Sequence, residues 1–422
     1  MSRNRLLVAG FSVVLLGLPG TACAQFKAGP DDWPAWRGAD RTGVSAETGL
    51  LKEWPEGGPR LVWKATGLGG GYSTPSVSGG RIYLLGSKAG EEFAIALDAK
   101  DGKELWRSKI GPVAKSGPPS YPGPLSTPTV DGDKIYVLGS DGDLACLAQD
   151  GKVVWQKNLG RDLEGQRGRW AYAESPLIDG EVLVCTPGGP KDTLAALNKK
   201  TGEVIWRAAA PEVGEAGYSS VIVTNAGGVK QYVQLLGKGL VGVSAKDGKV
   251  LWQYAKMKTP TNCPTPISHD GYIFSSYQGP GGGGSALLQL SADGQGVSAR
   301  EVYSKRDLAN QHGGVVRVGD YVYGTNSRSL LCIDFKTGTT KWQDSCVGKG
   351  SICAADGHLY VRGENDGQVA LVEATPSAYK ETGRLRQPDR SNHKAWPHPV
   401  IANGCLYLRD DDVLLCYDIK AR

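Results

Sequence analysis

The sequence predicts an all-β fold, an eight-bladed β-propeller of four-stranded antiparallel blades. Three observations predict it. A unit recurs along the chain with a period of roughly 40–50 residues. Asp-Gly or Thr-Gly pairs stand at a fixed place in that unit, and a tryptophan closes it.

The first complete unit opens with Ser73-Thr-Pro-Ser-Val and closes with Leu97-Asp-Ala-Lys-Asp-Gly-Lys-Glu-Leu-Trp106. The second opens with Ser126-Thr-Pro-Thr-Val and closes at Trp155 after Asp150-Gly-Lys. The same march ends at Trp206, Trp252 and Trp342. Within each unit a Pro-x-Val run, an Ile-Tyr-Val-Leu run, a Leu-x-x-Leu-Asp run and a run ending in Trp alternate apolar and polar residues, as half-buried strands do. The Asp-Gly and Thr-Gly pairs supply the positive φ of tight hairpin turns. Two units are degraded: one opens at Thr265-Pro and closes near Tyr303, the other opens at Ser351-Ile and closes near Leu385. The last, from His398-Pro, has three strands before the chain ends. Leu61-Val-Trp63-Lys has the closing-strand pattern with no strands before it, so residues 60–65 are expected to complete the last blade. That pairing closes the ring and removes both sheet edges.

The unit resembles that of the pyrroloquinoline quinone (PQQ) propeller family, close to Thr-Pro-x-Val … Leu-Asp-x-x-Thr-Gly-Lys-x-x-Trp, over about residues 60–422. The resemblance is specific for fold and uninformative on activity, because the family includes quinoprotein dehydrogenases, outer-membrane-assembly scaffold lipoproteins and many proteins of no known activity. It implies an inter-blade packing role for Trp63, Trp106, Trp155, Trp206, Trp252 and Trp342.

Before the repeat, residues 1–24 read as a cleaved signal: Arg3 and Arg5, an apolar run from Leu6 to Leu18, and Ala22-Cys23-Ala24 as a small-x-small site. Lipidation at Cys23 is the less favoured alternative, since Gly20 stands where a branched apolar residue is wanted. The chain is therefore expected in the periplasm or outside the cell. Residues 25–59, with Trp33, Trp36 and Trp54, read as an N-terminal strap packed on the propeller; it resembles the strap of many secreted bacterial propellers of this family. The formal charge of +5 falls to +3 without the two signal arginines. That near-neutral balance gives no electrostatic case for nucleic acid, and no later segment is long and apolar enough to span a bilayer.

Eight cysteines remain after residue 24. Cys146, Cys332 and Cys416 fall in matching third-strand slots, Cys185 and Cys405 in second strands, and all five read as small core residues. Cys346 and Cys353, seven apart in one inter-blade link, form a candidate disulfide.

The turns between third and fourth strands are nearly uniform, whereas the links between blades and the loops between second and third strands are long and irregular. Variable loops on a rigid scaffold are where binding resides, so any site is expected on the irregular face at the channel mouth. Aligning the units brings Tyr72, Glu174, Tyr218, Asn262, Gln311, His312, Lys349, Trp396 and His398 to that mouth as candidate ligand-binding residues. No dedicated metal site is expected: His312, His393 and His398 lack metal-ligand spacing.

Three functions are compatible with these residues. A non-catalytic propeller that binds a protein, peptide or glycan, acts as a monomer and needs no cofactor is preferred, because no nucleotide-cradle, nucleophile-elbow or metal-hydrolase motif occurs. The alternative is an oxidoreductase acting on alcohols or sugars with PQQ and calcium, for which the resemblance implies oxygen ligands such as Glu174, Asn262 and Asp307. The chain departs from that branch by having no vicinal Cys-Cys pair. A polysaccharide hydrolase or lyase using Glu174 with His312 or His398 has only residue type behind it.

Overall fold

The computed structural model describes residues 29–115, 123–292 and 296–422. The signal segment 1–24 and Cys23 lie outside the described residues. The fold is an eight-bladed β-propeller, nearly devoid of helix, with blade 1 at 76–112, blade 2 at 129–158, blade 3 at 177–208, blade 4 at 222–254, blade 5 at 267–305, blade 6 at 315–344, blade 7 at 350–385 and blade 8 at 400–418. Blade 8 is completed by Arg60–Ala65, which pairs antiparallel with Val413–Asp418 in the register Trp63↔Cys416 and Ala65↔Leu414.

The recurring Tyr, Trp and Gly of the unit form one lock. The second-strand Tyr meets the fourth-strand Trp of the same blade at ring-centroid distances of 6.0–6.4 Å for Tyr407–Trp63, Tyr83–Trp106, Tyr136–Trp155 and Tyr323–Trp342, whereas Tyr232 of blade 4 meets Trp206 of blade 3 at 6.0 Å. The Trp indole then donates to a carbonyl of the next blade, just past its third strand: Trp63 to Ala99, Trp106 to Gln149, Trp155 to Lys199 and Trp206 to Ala245. Trp342 donates likewise to Thr375, whereas Trp252 turns back to Gln231 of its own blade. The turn glycine of that next blade lies flat against the indole. At Gly202 φ is +73° and a Cβ would stand 2.8 Å from the Trp155 ring; Gly248 and Trp206 repeat the contact at 2.5 Å. The Gly of the turn is thus required twice, by its backbone angle and by its neighbour's indole.

Blades 5 and 7 show how a degraded unit is repaired. In blade 5 Tyr303 occupies the Trp position and its hydroxyl donates to the Phe335 carbonyl. In blade 7 the residue that pairs beside the bulge is Gly383, not Leu385. Trp54 fills the gap from outside the repeat: its main-chain N–H donates to Thr382, it crowds the position where a Gly383 side chain would be, and its ring lies 5.9 Å from Tyr360.

The segment that carries Trp54 first runs through the axis of the ring. Trp33 forms an antiparallel bridge with Val77 of blade 1, and the Pro34 carbonyl accepts from Val130 of blade 2. Arg41 donates to the Ser175 and Val221 carbonyls, at 3.1 and 3.0 Å, on the entries to blades 3 and 4, and to Pro176. Trp36 donates to Thr265 beside blade 5, and Arg37 to Val315 of blade 6. Val44–Ser45 adds a parallel strand to the innermost strand of blade 7, and Glu47 accepts from Gly404 of blade 8. Residues 33–47 therefore touch all eight blades and plug the channel.

The eight cysteines from Cys146 onward are free thiols. Cys346 lies beside Tyr379 and Arg384 at the outer edge of blade 7, while Cys353 sits in its innermost strand beside Arg37. Cys405 and Cys416 share blade 8 on adjacent strands, diagonal to each other across the pairs Cys405↔Asp418 and Tyr407↔Cys416. Hydrogen bonds from Cys416 and from Tyr407 hold the Cys405 thiol below its ordinary range.

Candidate functional site

The channel mouth on the face of the inter-blade links is a blind cup of about 250 Å³. Its walls come from the segments that lead into the first strands, and its floor is Trp36 from the strap. Side-chain direction alternates along those segments, as extended backbone requires. Thr74, Ser220 and His398 face the cup; so, two residues earlier, do Tyr72, Ala173, Tyr218, Cys263, His312 and Trp396.

The residues between them face into the blades. Ser73 accepts from the Leu85 N–H and Ser126 donates to the Leu138 carbonyl, each twelve residues on in the second strand. Glu174 occupies the equivalent position in blade 3. It is 2% exposed and accepts from the Thr186 N–H, also twelve residues on, and from Gln234. Burial raises its carboxyl to about 7, against the opposing pull of Thr186, Arg41 and Gln234. Asn262 shares this orientation, and its amide donates to the Leu236 and Met257 carbonyls at 2.6 and 2.8 Å.

Of the nine residues singled out in the sequence, six line the cup: Tyr72, Tyr218, Gln311, His312, Trp396 and His398. Lys349 stands directly behind, its amine 2.7 Å from Gln311 Oε1 and 2.9 Å from Glu364. Glu174 and Asn262 do not line it. Three contributors carried no signal in the aligned repeat. Trp36 lies in the strap, Trp170 stands well ahead of the aligned positions in its link, and Glu364 follows the second strand of blade 7.

Aromatic rings make most of the surface. Trp396 is sandwiched between His312, stacked at 4.4 Å, and Tyr72 at 4.5 Å. Trp36 packs on His398 at 4.6 Å, and Trp170 meets Tyr218 edge-on at 6.0 Å. The titratable groups are engaged with one another. His398 Nε2 contacts the His312 carbonyl at 3.0 Å, and burial together with Arg37 lowers its imidazole to about 3. Burial also lowers His312. Burial alone would raise Glu364, but His312 and Lys349 hold it at about 2. At neutral pH the set is therefore two neutral imidazoles and a fixed Lys–Glu pair, with no group poised near neutrality that faces the cup.

The donors expected for a calcium-held quinone do not fit one. Glu174 and Asn262 are turned into separate hydrogen-bond sets away from the cup, and the exposed Asp307 accepts from Thr340 at the edge of blade 6. Among the described residues no group of three His, Cys, Asp or Glu side chains converges as metal ligands.

A family model described as outer membrane protein assembly factor BamB matches residues 22–117 and 90–344. A protein of that name from Burkholderia pseudomallei is 27% identical over 291 residues, 67% of this chain and 68% of its own length. Another from Moranella endobia is 25% identical over 362 residues, covering 76% of this chain and 84% of its own. Among solved structures, the quinohemoprotein alcohol dehydrogenase of Comamonas testosteroni superposes with a TM-score of 0.65 over 93% of this chain and 81% of its own, at 13% identity, a likeness of fold alone. On the repeat, the closed eight-bladed ring and these matches, the chain belongs to the PQQ-repeat propeller family whose model bears the description outer membrane protein assembly factor BamB.

Proposed function

We infer that the chain is a non-catalytic, exported scaffold propeller that holds a protein or peptide partner on its irregular face, within outer membrane protein assembly as the names of its relatives state. The observation that carries this reading is the cup itself: an aromatic recess whose ionisable neighbours are buried and engaged with one another, so that it offers mainly contact area to an occupant. The quinoprotein reading has the shared fold in its favour. Against it stand the orientations of Glu174 and Asn262. Glycan binding has less support than a protein partner, because the cup presents few polar groups. Among the described residues no helix is long and apolar enough to cross a membrane.

The test has two arms. The immobilised full chain is exposed to detergent-solubilised outer-membrane proteins from its own source, and retention of β-barrel or barrel-assembly proteins is quantified against an unrelated propeller. Calcium-loaded chain is titrated with PQQ by calorimetry and assayed for dye-linked oxidation of alcohols and sugars. Selective retention without turnover is the expected result. Micromolar quinone binding with dye reduction overturns the scaffold reading.

A further inference from the structure

Many of the polar atoms around the cup are engaged before any ligand arrives. The Thr74 hydroxyl accepts from the His398 N–H, and the Ser220 hydroxyl from the Ser175 N–H. Gln311 accepts from Lys349 and donates to Thr261, whose own hydroxyl donates to the Gln278 carbonyl. The Tyr218 hydroxyl accepts from the Trp170 N–H, and the Trp36 indole is held by Thr265. What the cup offers an occupant is mainly ring surface, with a few hydroxyl donors at its wall. A sugar ring placed there would give up hydrogen bonds to water at most of its hydroxyls and recover few, at a cost per buried group that stacking does not offset.

The floor sets a second limit. Trp36, pinned by Thr265 and packed on His398, closes the axis, so a chain cannot thread through and only a terminal group can enter. Volume sets a third. An apolar cavity of about 150 Å³ takes up benzene; about 250 Å³ admits a phenyl, phenol or indole ring with part of its stem. Ring faces and edges on several sides suit the offset and edge-to-face geometries that aromatic pairs prefer.

We propose that the cup receives a single aromatic side chain of the partner, inserted as an anchor while the flanking partner residues lie across the inter-blade links. This rests on the protein-binding reading above and specifies the chemistry of its recognition. A buried aromatic anchor in a desolvated pocket is the arrangement that concentrates binding energy at protein interfaces. Trp36 and Trp396 are then the floor and wall that set specificity, and Ala173, on the opposite wall and partly exposed, is the point at which the cup can be blocked.

The test uses the full chain and small probes: N-acetyl-tryptophanamide, N-acetyl-phenylalaninamide, N-acetyl-leucinamide and methyl glucoside, followed by saturation-transfer NMR. The aromatic amides are expected to bind at least tenfold more tightly than the leucine amide, with no measurable glucoside binding. Ala173→Phe fills the cup without removing a wall residue. It is expected to abolish probe binding at unchanged melting temperature, and to weaken retention of the membrane-protein partner at least tenfold. Should Ala173→Phe misfold, competition between the tryptophan amide and the partner on the native chain reads the same contact. Glucoside binding as tight as the aromatic amides, or aromatic-amide binding unaffected by Ala173→Phe, overturns the proposal. Retention of the partner with no probe binding defeats this inference alone, whereas absence of any partner defeats the scaffold reading beneath it.

Discussion

Glu174 distinguishes a structural carboxyl from a chemical one, and its titration gives a measurable signature. Burial raises it from an ordinary 4.5 to about 7, although Thr186, Gln234 and Arg41 favour its charged form. Its folded value therefore exceeds its unfolded value. The stability it contributes is fully present below pH 4.5 and is lost as pH rises through 7. Each pKa unit corresponds to about 1.4 kcal/mol, so the loss amounts to about 3 kcal/mol. His398 slopes the other way, because burial lowers it to about 3 and the folded chain resists its protonation. The wild-type profile is thus a sum of opposing terms, and the difference between variants isolates the carboxyl. Glu174→Gln should be no more stable than wild type at pH 4.5 and relatively better by about 3 kcal/mol at pH 9, since the amide carries no charge to desolvate. Urea unfolding followed by circular dichroism at both pH values measures this. Glu92, buried between blades 1 and 2 with Ser140 on both oxygens and likewise raised to about 7 mainly by burial, is the control: Glu92→Gln should change the profile by a similar amount, and the two effects should add. A Glu174→Gln profile parallel to wild type within about 0.5 kcal/mol would refute the reasoning. Glu174 would then be solvated and would return as a candidate for the cup.

Three further outcomes follow from the packing. Trp54→Ala should cost about 3 kcal/mol, in the range for loss of a buried tryptophan, despite lying outside every repeat; calorimetric melting beside Trp106→Ala checks whether the surrogate equals a blade's own residue. Gly202→Ala should destabilise by at least about 2 kcal/mol, since it meets both a φ of +73° and the Trp155 ring, whereas Gly49, with the same φ and open space, should tolerate alanine at about 1 kcal/mol. Cys405 should be the first thiol alkylated by iodoacetamide in the native chain at pH 7.5, because its hydrogen bonds from Cys416 and Tyr407 favour the thiolate, while Cys416 is raised by its bond to Cys405 and burial raises the others. Peptide mapping by mass spectrometry that finds Cys346 or Cys263 modified first would reverse that order.

The ring was legible because its periodic residues do the same task in most of the blades. Tyr, Trp and turn Gly stand in register, so one alignment exposes the lock they form. The channel mouth was legible as a place and misleading as a residue set. Alignment brings Glu174 and Asn262 to the axis but carries no side-chain direction; parity does, and counting by twos from Thr74 or His398 turns both into the blades. Trp36 and Trp54 could be read as part of a packed strap, but their partners, and Arg37 and Arg41 altogether, were hidden for the opposite reason. All four occur once, outside any repeat, and their partners lie in eight blades spread over the rest of the chain. The Cys405–Cys416 pair escaped because the unit comparison sets blade against blade and does not set neighbouring strands of one blade against each other.

The axial strap changes the kind of molecule that eight similar blades would otherwise make. Arrays of repeats behave as chains of nearest neighbours, able to fray or lose a unit locally. Here one short segment bonds to blade 1 through Trp33 and to blade 5 across the ring through Trp36, and the strand that follows it joins the last blade. Blades 3 and 4 share one guanidinium; blades 5 and 6 are held by adjacent residues. Melting any blade therefore frees part of the spindle and loosens blades it never touches. Unfolding should be a single transition, and assembly should wait for the synthesis of blade 8, because the spindle and the closing strand precede all the blades in the chain and find their full set of partners only when that blade is made.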